Sequence, residues 1–269
     1  MSEPEIVVLR DPDAVSDAAA ERIATSLDAA VHARGRADWA TTGGSAAVGI
    51  YRRLVEPARR GAIPWAQVHT WWGDDRFVPS DHPLSNVKAF DDIVLDMPGR
   101  QAGAAVASAV GVHIPPENLH PFRTTEAIGA GHDAGTCAAQ LADELHAAGL
   151  PGADGWPVFD LVVLGIGPDG HILSVFPGSP AFDSADWALG IPAPTHVEPH
   201  VARVTLNPAI VTAAREVLVV AHGAGKAGII SGVLGGDVDA RRWPAQLTRR
   251  AGATWIIDEA AAASLPQRP

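Results

Sequence analysis

The feature that most constrains this chain is a recurring short apolar run rich in Val and Ile. Such runs occur at residues 6–9 (I-V-V-L), 37–41 (A-D-W-A-T), 68–72 (V-H-T-W-W), 160–164 (D-L-V-V-L), 202–206 (A-R-V-T-L), 217–221 (V-L-V-V-A) and 254–257 (T-W-I-I). Runs this short, bounded by turn residues, predict strands buried on both faces, as in a parallel sheet. Helical periodicity fills most of the gaps. It runs from Ala14 to Arg34, closed by Gly35, from Ser45 to Arg59, and from His132 to Ala148, with further helices after Gly225 and over residues 245–250. This alternation predicts the α/β class: a doubly wound, mostly parallel sheet with helices on both faces. Two stretches break the rhythm. Residues 95–125, rich in Ala, Gly and Pro, are expected to be irregular with one short helix, and residues 178–200 to be irregular throughout. Neither reads as a linker, so residues 1–269 are expected to form a single domain.

Composition narrows the function classes. Cys137 is the only cysteine, so no intrachain disulfide and no cysteine metal cluster can form. Cys137 lies in a helical pattern, where a packed thiol is expected. The N-terminus is acidic where a secretory signal would be basic. No stretch approaches the roughly 18 apolar residues of a membrane span. A cytoplasmic protein with no membrane partner is expected. A net charge of −11 argues against nucleic acid, because phosphate backbones require a basic face. A small anionic ligand needs only a local basic cluster. All but two of the 20 basic residues are Arg, and the exceptions are Lys88 and Lys226.

The polar residues concentrate just past the predicted strands, where open parallel sheets bind ligands. T-T-G-G-S (41–45) precedes a helix, so the N–H groups of Gly43, Gly44 and Ser45 could form an anion site. W-W-G-D-D-R-F-V-P-S-D-H-P-L-S-N (71–86) gathers Asp74, Asp75, Arg76, Asp81, His82, Ser85 and Asn86. G-I-G-P-D-G-H-I-L-S-V-F-P-G (165–178) places Asp169 and His171 in a glycine-rich loop. Arg203 lies on a predicted strand, and Lys226 opens a helix after H-G-A-G. The glycine loops do not match a nucleotide-binding pattern, so no cofactor is expected. There is no H-E-x-x-H and no clustered cysteine, and no metal is expected.

Taken together, these stretches resemble the 6-phosphogluconolactonases of the glucosamine-6-phosphate isomerase/6-phosphogluconolactonase family. The matching pieces are T-G-G-S, W-G-D-D-R-F-V-P-S-D-H-P-L-S-N, D-L-V-V-L-G-I-G-P-D-G-H-I-L-S-V-F-P-G, R-V-T-L-N-P, G-A-G-K-A and the closing W-I-I-D-E-A-A-A. They span roughly residues 5–262 in the family's order. The chain has Asp74-Asp75 where the family usually has Asp-Glu, and Ile172-Leu173-Ser174 where it usually has Thr-Ala-Ser. The resemblance implies a Rossmann-like sheet and a hydrolase of 6-phosphoglucono-δ-lactone in the oxidative pentose phosphate pathway. It implies His171 as general base on water, Asp169 or Asp75 orienting the ring, and Arg76 or loop N–H groups stabilising the oxyanion. Gly43, Gly44, Ser45, Arg203 and Lys226 would hold the 6-phosphate, with His82, Ser85 and Asn86 also binding substrate. The partner is then a small sugar-phosphate lactone, and the chain a monomer or weak homo-oligomer. Two other readings share the fold: a glucosamine-6-phosphate deaminase and a non-catalytic sugar-phosphate sensor. The W-W-G-D-D-R segment favours the lactonase, since the deaminases resemble F-x-x-D-E-Y there.

Overall fold

The computed structural model describes residues 3–95 and 111–266. Residues 96–110, part of the expected irregular excursion, lie outside the described residues. The strands are β1 (Glu5–Leu9), β2 (Ala37–Thr41), β3 (Val68–Trp72), β4 (Asp74–Arg76), β5 (Leu119–His120), β6 (Gly152–Ala153), β7 (Trp156–Pro157), β8 (Leu161–Leu164), β9 (Ala188–Ile191), β10 (Arg203–Leu206), β11 (Glu216–Ala221) and β12 (Ala253–Asp258). The helices are α1 (Pro12–Arg34), α2 (Gly44–Leu54), α3 (Pro57–Ala62), α4 (Asn86–Ile93), α5 (Thr124–Gly129), α6 (Ala134–Ala147), α7 (Ala209–Ala213), α8 (Ala227–Gly235) and α9 (Glu259–Ala262).

Seven strands form one parallel sheet in the order β1-β12-β11-β8-β2-β3-β5. Every residue of β2, β8 and β12 is buried, which requires cover on both faces. Their Val, Ile and Leu side chains enter a continuous core with Trp39, Trp71 and Trp255. Each of these indoles finds a partner, Trp39 Nε1 donating to Thr70 Oγ1 at 2.9 Å, Trp71 Nε1 to Asp38 Oδ1 at 3.0 Å and Trp255 Nε1 to Thr248 Oγ1 at 3.0 Å. Among the described residues, no helix is long and apolar enough to cross a membrane.

The chain runs from β2 outward through β3 to β5, then returns to place β8 on the other side of β2. The winding direction reverses between β2 and β8, so a crevice opens at their carboxyl ends. The opposite ends are pinned: the Asp38 N–H donates to Asp160 Oδ2 at 2.9 Å, and Arg36 grips Asp38 through two bonds of 2.7 and 2.6 Å.

Several expected elements differ. Residues 203–206 are a strand, but β10 pairs antiparallel with β4 and β9 in a separate three-stranded sheet. The helix expected over 45–59 is two, because Pro57 starts α3 and cannot continue α2. Residues 244–248 form only a 3₁₀ turn. The stretch expected to be irregular over 178–200 contains β9. Its Gly190 hides the strand from propensity, yet a Cβ there would lie 2.4 Å from Gly135 N, so close packing on α6 demands glycine.

Candidate active site

The β2 and β8 loops face each other across the crevice, enclosing a cavity of about 270 Å³. Gly43 caps α2 with no side-chain hydrogen bond, and the helix starts at Gly44, whose φ is +84°. The first N–H groups of α2 therefore face the cavity uncapped, where an anion is favoured. Gly43 is fixed by a close approach, since a Cβ there would sit 1.8 Å from Asn86 Oδ1. Tyr51 steadies this loop, donating to Thr42 O at 2.6 Å.

The acidic pair of β4 splits. Asp74 lines the cavity and accepts from Ser174 Oγ at 2.5 Å. Asp75 is fully buried behind the wall and accepts from the N–H of Arg76 (2.7 Å), the N–H of Asn86 (2.6 Å) and Ser85 Oγ (2.7 Å). Burial pushes the Asp75 carboxyl up to about 7, against the pull of these donors. Asp75 thus fixes the segment that delivers Arg76 and Asn86. Arg76 Nη1 donates to Leu84 O and Asn86 Oδ1, both at 2.9 Å, and Arg76 and Asn86 reach the cavity.

A raised folded pKa means the folded state holds the extra proton. The contribution of Asp75 to stability is then largest below about 3.8 and is lost as pH rises to about 7. Asn would keep the acceptor for both N–H groups and offer an amide to Ser85. We therefore expect Asp75→Asn to retain kcat/KM within about tenfold and to lose less stability than wild type between pH 4 and pH 7, read from urea midpoints. An unchanged pH slope would show that Asp75 does not titrate in this window.

The β8 loop carries the titratable pair. His171 Nδ1 lies 2.5 Å from Asp169 Oδ1. A carboxylate only accepts, so Nδ1 carries a proton, and in the neutral ring the lone pair is then on Nε2. The His171 ring lines the cavity. Burial acts to raise the Asp169 pKa, but hydrogen bonds from His171 and His196, with the His171 charge, hold it well below the usual carboxylate range. Gly167 makes room for the ring, since a Cβ there would lie 2.0 Å from His171 Nδ1. Leu173 takes a left-handed φ of +55° on the cavity wall, a conformation unusual for a branched side chain.

Three cations line the same cavity. Arg203 and Arg76 are register partners in β10 and β4. Arg203 is only 4% exposed, and burial, with the Arg76 charge, lowers its pKa, though a guanidinium stays protonated. The Nε atoms of both are buried without a partner. Such donors favour an anion in the cavity. Lys226, just before α8, lines the cavity from the side of the β8 loop, donating to Ile166 O at 2.7 Å. Burial lowers its pKa, and the Asp169 charge raises it.

Of the sequence-predicted site residues, Gly43, Gly44, Ser45, Arg76, Asn86, His171, Arg203 and Lys226 line the cavity. Asp169 stands behind His171. Asp75 and Ser85 are buried in the support beneath the wall. His82 is exposed and spends Nδ1 on the Leu84 N–H at 3.1 Å, so it belongs to its own turn. The cavity also gathers Asp74, Ser174, Glu198 and His222, none of which sequence reasoning placed in a role. His222 directly follows β11, and strand-end position could have found it. Glu198 sits in a non-periodic stretch with no such signal. His196 and His200 have a metal-like i, i+4 spacing, but on irregular chain they diverge, His196 to Asp169 and His200 to Pro194 O. Among the described residues, no group of three or more His, Cys, Asp or Glu could hold a metal ion.

Comparison with known proteins gives a consistent picture. The family model described as glucosamine-6-phosphate isomerases/6-phosphogluconolactonase matches residues 10–256. A 6-phosphogluconolactonase of Streptomyces coelicolor is 32% identical over 98% of this chain and 95% of its own length. The structure of the 6-phosphogluconolactonase from Trypanosoma cruzi aligns with a TM-score of 0.80 at 26% identity, covering 99% of each chain. A monomeric glucosamine-6-phosphate deaminase aligns with a TM-score of 0.74 at 17% identity, a likeness of fold alone.

Proposed function

The chain belongs to the glucosamine-6-phosphate isomerase/6-phosphogluconolactonase family, and on that premise we propose that it hydrolyses 6-phosphoglucono-δ-lactone to 6-phosphogluconate, a step of the oxidative pentose phosphate pathway. One observation carries the reading. His171, with Asp169 on its Nδ1, shares a cavity with an uncapped helix N-terminus and the cations Arg76, Arg203 and Lys226. The site draws on loops from Thr42 to Lys226, and we take the chain as one functional domain acting on a small phosphorylated substrate.

A δ-lactone is an activated ester, so one base, one water and charge stabilisation suffice. His171 Nε2 takes a proton from water as its oxygen attacks C1. Asp169 stabilises the imidazolium that forms. Negative charge grows on the C1 oxygen, where Arg76 or the loop N–H groups stabilise it. The intermediate then collapses, the bond from C1 to the ring oxygen breaks, and the imidazolium returns its proton to that oxygen. The products are a carboxylic acid and a hydroxyl group. The 6-phosphate is held by the N–H groups at Gly43, Gly44 and Ser45 together with Lys226 and Arg203, which fixes C1 against the base. Asn86 reaches the substrate from the β4 side.

The test is a paired assay on purified protein. Fresh 6-phosphoglucono-δ-lactone should release acid far faster than its spontaneous hydrolysis, and glucosamine-6-phosphate should release no ammonia. Ammonia release without lactone turnover would move the chain to the deaminase reading.

Phosphate anchoring has its own test. Lys226→Ala should raise KM for the phosphorylated lactone by about 10–100-fold, the range of a charge-assisted hydrogen bond, with a smaller change in kcat. An equal loss toward unphosphorylated glucono-δ-lactone would show that Lys226 does not read the phosphate.

A further inference from the structure

The segment from 192 to 202 joins β9 to β10 without regular structure and brings Val197 and Glu198 to the cavity wall. It is attached to the site at two points. Arg203 Nη2 donates to Pro199 O at 2.8 Å. His196 Nε2 lies 2.9 Å from Asp169 Oδ2. Asp169 therefore has an imidazole on each oxygen, His171 inside and His196 outside. His196 is 52% exposed, and its ring also meets the Phe176 ring edge-on at 5.7 Å. Phe176 in turn packs against His171 at 4.7 Å. His196, Asp169, His171 and Phe176 thus form a closed ring of contacts. Solvent exposure gives His196 no burial reason to point inward. Its bond to Asp169 and its edge-on contact with Phe176 turn it that way.

We propose that His196 is a positioning residue for the base: it holds the outer oxygen of Asp169, so that the inner oxygen stays on His171 Nδ1 and the 192–202 segment stays over the cavity. This rests on the reading of His171 as the base. The inner oxygen accepts from the His171 N–H at 3.2 Å as well as from His171 Nδ1, both within its own loop, and His196 on the outer oxygen adds a hold from a second segment against rotation about the terminal torsion. His196 also draws charge from the carboxylate, which reduces how strongly Asp169 favours the imidazolium form of His171. The titratable groups facing Asp169 are His171 from its own loop, His196 from the 192–202 segment and Lys226 from the turn before α8.

The experiment compares His196→Ala and His196→Gln with wild type. Gln places an amide N–H near the position of Nε2 and does not titrate. His196→Ala should lower kcat/KM for the phosphorylated lactone by about 5–30-fold, the effect of one charge-assisted hydrogen bond between part-exposed groups. The acidic limb of its kcat/KM–pH profile should move to higher pH, because Asp169 then acts on His171 alone. His196→Gln should restore both. The His171 ring, followed by NMR through a pH titration, should shift its midpoint upward in His196→Ala, a readout that needs no turnover. If the midpoint shifts but wild type has no lactonase activity, the tether stands and the lactonase reading falls. The proposal is overturned if His196→Ala matches wild type in rate, limb and midpoint. It is equally overturned if the rate falls while limb and midpoint stay fixed and Gln gives no rescue, which is the signature of a loosened loop.

Discussion

His171→Ala should leave a folded protein whose lactone turnover is about 10²–10⁴-fold lower, the usual consequence of losing a general base. The fold should survive because the ring supports little else. It bonds Asp169 through Nδ1 and packs on Phe176 at 4.7 Å, beside an open cavity that water can fill. Asp169 would keep His196 as a partner, so no buried charge is stranded. The backbone of the loop is held independently, with Gly167 N–H on His171 O at 2.9 Å and Ala245 N–H on Gly170 O at 2.9 Å. A variant that kept more than about a tenth of wild-type turnover, far above the residual of base loss, would remove His171 from the role. The next candidate would be His222, the other imidazole on the wall, since His82 is exposed outside the cavity.

Gly167→Ala should lower kcat by about 10²-fold while every polar residue of the site remains, because a base displaced by about 1 Å loses that much. The added Cβ would lie 2.0 Å from His171 Nδ1 and 2.1 Å from Cε1, whereas ordinary contact begins at 3.4 Å. The ring must swing by more than an ångström, away from Asp169 or out of line with the substrate. The φ of Gly167 is not in the left-handed region, so alanine fits the backbone and the effect reports on the ring alone. Gly170 differs: its φ is +84°, and substitution there would strain the turn as well. Wild-type kcat in Gly167→Ala would show that the ring is free to sit elsewhere during turnover.

The sheet was legible because its strands are buried on both faces, which leaves near-continuous apolar runs at residues 161–164 and 217–221. The polar loops were legible because parallel strands all deliver their ends to one side. That Asp74 and Asp75 part company was legible, because adjacent side chains of a strand point to opposite faces and both lie in β4; which of them meets the cavity was not. Asp75 goes under the wall, while Asp74 meets Ser174, a residue 100 positions away that local pattern could not supply. Nor could it place Arg203 beside Arg76, since the pairing of β10 with β4 is antiparallel and lies outside the main sheet. His196 and Glu198 were invisible for a further reason. They lie on irregular chain, where no period marks which side chain faces the site.

The central claim is that this chain directs water onto C1 of a phosphorylated lactone. The most direct measurement is hydrolysis of fresh 6-phosphoglucono-δ-lactone in ¹⁸O-water, followed by NMR and mass spectrometry with the spontaneous rate subtracted. The account predicts a rate proportional to enzyme concentration and one ¹⁸O in the new carboxylate, with the ring-oxygen hydroxyl unlabelled. A rate independent of enzyme, or label in that hydroxyl, would contradict it.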